Sequence, residues 1–487
     1  MKTLKRISSI LIILTLTLVV TLALSACDET ETVGGLTYDG TTLISADKGA
    51  TELTVREGTT VIAQGAFDGC MKLEKLVIPD SVKEIKSGAF SACDKLIKIE
   101  DGIQYVGTWV IGATDEITVA EIKAGTVGIA NDAFSGCDKM TSATIPESVK
   151  AIGSRAFFRC DALEEITLPF IGNHISSTFD THFGYIFGAY SYEKNADYVP
   201  TGLRTVKLTN APEIFANAFR GCANIEEITL PESITAIGDN AFYGCKALSG
   251  IVIPDSVSSI GSRTFYECEA LTSAILPENA AFTTLDEYTF AYCKSLLSLE
   301  IPDSVTDIRS CAVARCESLE ELILPTGLKS IGQQAFDGCG NISELTLASG
   351  KIGRGAFNGC HGLVEVTLGD EVSEIGPYAF SNCIRLERIT MPAAVEMLGE
   401  SAFEYCSRLK SVAVPEGIVK IEAKTFYGCA ALDTVSLPKS IRDFAANAFY
   451  ACNIEAIIFS GTEAEWQLIE SENKPTADLM FFEESNG

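Results

Sequence analysis

The sequence predicts a mainly β solenoid: a right-handed coil of about seventeen units, with a parallel sheet on one face and short turns, 3₁₀ or helical turns and short strands on the other. Three observations predict it. Fifteen of the 17 cysteines fall on one lattice, from Cys70 and Cys93 to Cys429 and Cys452, in which ten of the fourteen steps are 23 residues. A phenylalanine stands three residues before each of them, from Phe67 to Phe449, with Val313 as the exception. Most lattice cysteines are followed by aliphatic residues in the pattern of Leu73, Leu76 and Ile78, closed by a proline such as Pro79. Length alone, 487 residues, would suggest about three ordinary domains, but one interval recurring throughout argues for a single array.

The elements follow in order. Residues 1–26 read as an export signal: Lys2, Lys5 and Arg6 form a basic start, and the apolar run Ile10 to Leu24 is too short to span a bilayer. Its end, Leu24-Ser25-Ala26-Cys27, resembles the lipobox of bacterial lipoproteins, in which the cysteine is acylated and heads the mature chain. Two or three acyl chains there would hold the protein durably to a membrane. The alternative is a plain cleaved signal with an incidental cysteine. Residues 27–50, rich in Gly, Thr and acid, read as the lipidated Cys27 and a weakly ordered spacer. The solenoid is expected over 51–459, and residues 460–487 as a cap carrying Trp466 followed by a frayed acidic tail.

Within each unit, C-x-x-L-x-x-L-x-I-P-x-x-V-x-x-I-x-x-x-A-F-x-x-C, the Leu-x-Ile step has the period of a short strand with one buried face. The proline turns the corner by fixing φ and removing a ladder donor. Val82 and Ile85 then point inward, and Ala89-Phe90 opens a helical or 3₁₀ turn that ends near Cys93. Such a coil cannot hide its apolar faces alone, so coils must stack. Two gaps in the lattice hold degenerate units, with Ile117, Ala120 and Ile122 in one strand slot and Leu203, Val206 and Leu208 in the other. This predicts an unbroken array. The insert 170–212 departs from the cadence and is aromatic: Phe179, Phe183, Tyr185, Tyr190 and Tyr192 either anchor a macromolecule or fill the core where an Ala-Phe-x-x-Cys turn is missing.

A period in the twenties with such aliphatic cores is the leucine-rich-repeat signature, an α/β class in general and mainly β here. The AFxxCxxLxxIxIPxxVxxIG repeats, the insert containing FGYIFG and the GTEAEW ending resemble BspA-like leucine-rich-repeat bacterial surface lipoproteins over about 85% of the chain. The resemblance implies adhesion or binding of host or neighbouring-cell macromolecules, with no defined ligand.

Composition narrows function further. The net charge is −28, and −31 once residues 1–26 are removed (34 Lys+Arg against 65 Asp+Glu), so a polyphosphate would be repelled and nucleic acid is not an expected partner. No Walker sequence, GxSxG or HExxH occurs, and no cofactor, metal site or catalytic group is expected. Zinc at His174 and His182 is disfavoured by their spacing of eight residues. An even number of cysteines beyond Cys27 invites disulfides, yet in-register side chains about 4.8 Å apart with parallel vectors do not match disulfide geometry. Buried thiols are therefore expected, with disulfides as the alternative and Cys311, where Gly88 sits in an earlier unit, partly exposed. Outward strand positions Glu165, Thr167, Glu227, Thr229, Glu344, Thr346, Glu365 and Thr367 are candidate ligand contacts, or simply residues that suit a strand surface. The expectation is a monomeric, lipid-anchored, non-catalytic protein at the outer side of the cell membrane or cell surface, binding an extracellular protein or glycan. A ligand-free envelope spacer is the alternative, and an accessory enzyme using the insert a third reading.

Overall fold

The computed structural model describes residues 30–481. The export signal and Cys27 lie outside that range. Nineteen short strands, from Glu52–Thr54 to Asp478–Phe481, mark successive turns of a parallel β-solenoid on one face. A second series, Val61–Ile62, Glu84–Ile85, Gly128–Ile129 and onward to Asp443–Phe444, marks the other. Between Val119–Glu121 and Glu321–Ile323 the first face is one nine-stranded sheet. Its pairs keep register, as Ser142, Ala143 and Thr144 opposite Glu165, Ile166 and Thr167 illustrate.

The proline corner explains where strands stop. Among the units that lack it, two, Glu344–Ile352 (ELTLASGKI) and Glu365–Ile375 (EVTLGDEVSEI), continue the strand around the corner from one face to the other. The Ala-Phe-x-x-Cys segment is a chain of tight turns rather than a helix. Left-handed residues sit two before the Phe and one before the Cys, as Arg263 (φ 55°) and Glu267 (φ 59°) do around Phe265, and each breaks helical continuity. The glycine after the second strand serves a different purpose. A Cβ on Gly332 would come within 2.6 Å of the Arg309 carbonyl carbon, so the missing side chain permits close approach of adjacent coils.

Phenylalanines from successive coils stack in the core: Phe242–Phe265 at 5.2 Å, Phe336–Phe357 at 5.1 Å, Phe403–Phe426 at 5.5 Å between centroids. Phe336 is fully buried, and its N–H donates to the Ala356 carbonyl at 2.8 Å. Phe336→Ala is expected to cost about 3–5 kcal/mol. Hydrogen exchange should rise across the adjoining coils and stay unchanged near the ends, since a coil touches only its neighbours.

Three expectations are corrected. Residues 30–50 are not a loose spacer: Glu31–Val33, Leu36–Asp39 and Thr42–Ala46 form an antiparallel meander, and the last of these pairs in parallel with Val61–Ile62. Gly34, Gly35 and Gly40 take the positive φ its turns need, and Leu36, Tyr38 and Leu43 are buried, so it closes the first end of the core. The array is not unbroken. After Lys98–Glu100 the chain doubles back as Ile103–Val106 and Trp109–Ala113, and the strand at Val119–Glu121 pairs only with the strand after it. The buried core accordingly falls into two clusters, and Trp109, 2% exposed, belongs to the first, lying against Gly128 where a Cβ would meet its ring. Lastly, residues 470–481 do not fray. Asp478–Phe481 adds a parallel strand to Ala456–Phe459. Helix Glu463–Gln467, opened by a capping box between Thr462 and Glu465, sets Trp466 against Phe444 and Phe459.

Candidate functional site

The strand register gathers the eight outward candidates into two patches. Glu165 and Thr167 stand opposite Thr205 and Lys207, which in turn stand opposite Glu227 and Thr229. Glu344 and Thr346 face Glu365 and Thr367, followed by Arg388 and Thr390. Thr167 and Glu365 are half-buried and the other six are exposed. Glu365 is paired with Arg388 at 2.9 Å. Thr205 and Lys207 are not among the sequence candidates because their unit lacks the cysteine from which outward strand positions are counted.

Between the patches, about five strand spacings or roughly 24 Å, the same face turns apolar. Val252 and Ile275 are direct neighbours, and Ile323 follows across Glu300. Their exposures, 61%, 60% and 55%, are high for β-branched aliphatic residues in one row. Read singly along the sequence, each is an ordinary strand residue. Only the register makes them a strip.

The insert divides its aromatics. Phe183 and Phe187 are 1% exposed, whereas Phe179 is 78%, Tyr190 73% and Tyr192 38% exposed, with Tyr185 half-buried. The 3₁₀ turn Phe183–Phe187 bridges the stacked column: Phe157 meets Phe187 at 6.4 Å and Phe183 meets Phe219 at 4.9 Å. The backbone follows suit, the Phe157 N–H donating to the Ile186 carbonyl and the Phe183 N–H to the Ala218 carbonyl, both at 2.8 Å. Asn195, fully buried, ties this turn down. Its amide donates to the carbonyls of Ala218 and Arg220, and its oxygen accepts from the Gly184 N–H. No sequence signal marks Asn195, because its partners lie in segments far apart along the chain.

All sixteen cysteines from Cys70 onward are unpaired, and all are buried except Cys311 and Cys452, which are half-buried. Burial is not their whole role. The Cys93 thiol donates to the Phe67 carbonyl at 3.0 Å, Cys268 to Phe242 at 3.2 Å, and Cys452 to Phe426 at 3.0 Å, always one coil back. The lattice cysteine is thus a small donor that satisfies a carbonyl in the core. Burial pushes the thiols of Cys93 and Cys137 up to about 11 and that of Cys245 to about 12. Cys311 takes the left-handed corner at φ 56° that Gly88 occupies earlier.

A further row is not among the outward strand positions because it lies on the turns. Tyrosines one or two residues before the cysteine, in FYGC, FYEC and FAYC, form a ridge in which Tyr243 and Tyr266 are half-buried and Tyr292 is exposed: Tyr243 stacks on Tyr266 at 4.9 Å, Tyr292 lies 5.3 Å beyond, and Arg220 covers Tyr243. The histidines separate. His182 is buried with Nε2 on the Ala189 carbonyl, and His174 contacts Ser176. Among the described residues, no three His, Cys, Asp or Glu side chains cluster as metal ligands.

Comparison with known proteins gives a consistent picture. The BspA type Leucine rich repeat region model matches in six copies, over residues 50–182, 212–343, 283–400 and 330–455. No curated protein matches. Similar solved structures include a leucine-rich repeat protein from Bacteroides ovatus, 25% identical over 79% of this chain and 97% of that one, with TM-score 0.49. Another is a leucine rich cell surface protein from Faecalibacterium prausnitzii, 23% identical over 93% and 100%, with TM-score 0.29. A third is a leucine-rich repeat protein from Eubacterium ventriosum, 22% identical over 70% and 84%, with TM-score 0.38.

Proposed function

Since the chain belongs to the BspA-type leucine-rich-repeat family, we propose that it is a non-catalytic recognition protein that captures an extracellular protein through its first strand face. The observation that carries this reading is the row of Val252, Ile275 and Ile323, exposed between two Thr/Glu patches. Apolar residues at the centre with a polar surround are the arrangement of a protein-binding surface. The net charge of −28 favours a partner with a basic patch. The lipobox-like Leu24-Ser25-Ala26-Cys27 supports export and a lipid tether at Cys27, which would hold the face outward from the cell.

The test uses residues 28–487 in biolayer interferometry against purified extracellular proteins of basic and acidic isoelectric point. Saturable binding to basic partners is expected, weakening with salt and falling about tenfold or more, ~1.4 kcal/mol, in the triple variant V252S/I275S/I323S. Because the three side chains are exposed, the variant should fold normally. Binding indifferent to the triple substitution would remove the face from consideration. No saturable binding at about 100 μM would favour the spacer.

A further inference from the structure

Outside the strand face, a cleft of about 820 Å³ lies between the insert and the second face of the early coils. That volume is within the range of ordinary small-molecule sites, about 300–1,000 Å³. One wall comes from Lys83, Glu84 and Lys86, the floor from Asn131 and Ser154, and the other wall from residues 173–185. Lys86 pairs with Glu84 at 2.6 Å, and the Asn131 amide donates to the same carboxylate at 2.9 Å. On the insert side, the Asn173 side-chain oxygen is buried without a hydrogen-bond partner, although its amide reaches Asp180 at 3.5 Å. An orphaned buried acceptor costs free energy, and a turn of the Asn173 side chain toward the cleft would let a ligand donor recover it. At the rim stands Phe179, 78% exposed, on a turn held in both directions by Ser177: its hydroxyl donates to the Phe179 carbonyl at 2.9 Å and accepts from the Phe179 N–H at 3.1 Å.

The chemistry of the lining selects among ligands. Two lysines, Lys83 and Lys86, stand against two carboxylates, Glu84 and Asp180, so formal charge balances and an anion gains little. Apolar groups are few, with Val61, Ile152 and Phe179 the main ones, so an acyl chain or apolar peptide has no wall to cover. What remains is a dense mixture of donors and acceptors from Lys, Asn, Ser, Thr and Asp, with the rings of His174 and Tyr185 in the wall and that of Phe179 at the rim. Sugar hydroxyls both donate and accept, and the C–H face of a pyranose is an apolar plate that packs on an aromatic ring. We propose that this cleft is a binding site for a neutral oligosaccharide, with Phe179 as the stacking platform and Asn173 accepting from a sugar hydroxyl. The site is separate from the strand face, on the insert side of the molecule, and does not depend on the reading of that face.

The experiment is saturation-transfer NMR, followed by titration calorimetry, on residues 28–487 with lactose, maltose, cellobiose and chitobiose, and with sialyllactose as the charged control. At least one neutral sugar is expected to bind saturably, with transfer strongest to its ring C–H protons. Phe179→Ala, at an exposed position, should weaken it by about tenfold or more, and Asn173→Ala should weaken it measurably. The strand-face triple variant V252S/I275S/I323S should bind the sugar as the parent does, which separates failure of this site from failure of the other. The proposal is overturned if no neutral sugar binds at about 10 mM. Selective binding of sialyllactose, or affinity unchanged in both variants, would overturn it as well.

Discussion

Truncating Phe183 to alanine is expected to destabilise the protein by about 3–5 kcal/mol and to split its thermal unfolding into two transitions. Phe183 and Phe187 stand where the coil cadence fails, and they are the rings through which the column ending at Phe157 reaches the column starting at Phe219. Coils in a solenoid are stabilised by their neighbours, so a weakened junction lets the two segments melt at different temperatures. Tyr190→Ala, 73% exposed in the same insert, should shift stability by no more than about 0.5 kcal/mol. Differential scanning calorimetry distinguishes these outcomes. A single, unshifted transition in the Phe183 variant would mean that the insert does not carry the core.

The protein is also expected to unfold steeply in alkali under reducing conditions. Buried thiols keep their protons in the folded state beyond the ordinary value of 9.0, to about 11 for Cys93 and about 12 for Cys245. Burial raises Cys268 and Cys406 as well. An unfolded chain releases those protons above pH 9, so from there up to the folded value the unfolded state binds fewer protons and stability falls as pH rises. Each wholly buried thiol contributes a slope of roughly 1.4 kcal/mol per pH unit in that window. Cys245, Cys268, Cys293, Cys383 and Cys406 are all 0% exposed, and together they give on the order of 7 kcal/mol per pH unit. Urea midpoints followed by circular dichroism should be nearly level from pH 7 to 8.5 and then drop sharply, as a marginally stable fold cannot absorb such a slope. The double variant C268A/C293A should drop less sharply. Equal slopes in parent and variant would show that these thiols do not control the alkaline limit.

The coils were legible because every slot with a physical job recurs. The Phe that fills the axis, the Cys beside it and the proline at the corner each return at the repeat length, so even the degenerate strands at Ile117–Ile122 and Leu203–Leu208 could be placed. The ends and the break were not legible, because they bury few residues and use each device once. Leu36, Tyr38 and Leu43 are three apolar side chains among Gly, Thr and acid, and nothing in that stretch repeats. Trp109, packed against Gly128 beyond the interruption after Lys98–Glu100, is likewise used once. In the insert, composition left the aromatics as either anchors for a partner or core filling, without separating Phe183, which is inside, from Phe179, which is outside. The cleft brings Lys83 near Asn173 and Tyr185, residues about a hundred positions apart, and no local pattern encodes that distance.

The open-ended parallel register has a bearing on how such a molecule changes over generations. Within a regular stretch, such as the coils of Phe336, Phe357 and Phe380, each coil offers the same rings, thiols and backbone groups to the coil before it as to the coil after it. Unequal recombination between units could therefore remove or duplicate a whole coil while leaving each surviving junction chemically complete. The distance between the two ends would change in increments of about 4.8 Å, with the meander and the Trp466 helix still sealing them. Length becomes a trait adjustable in small heritable steps, independent of what the faces carry.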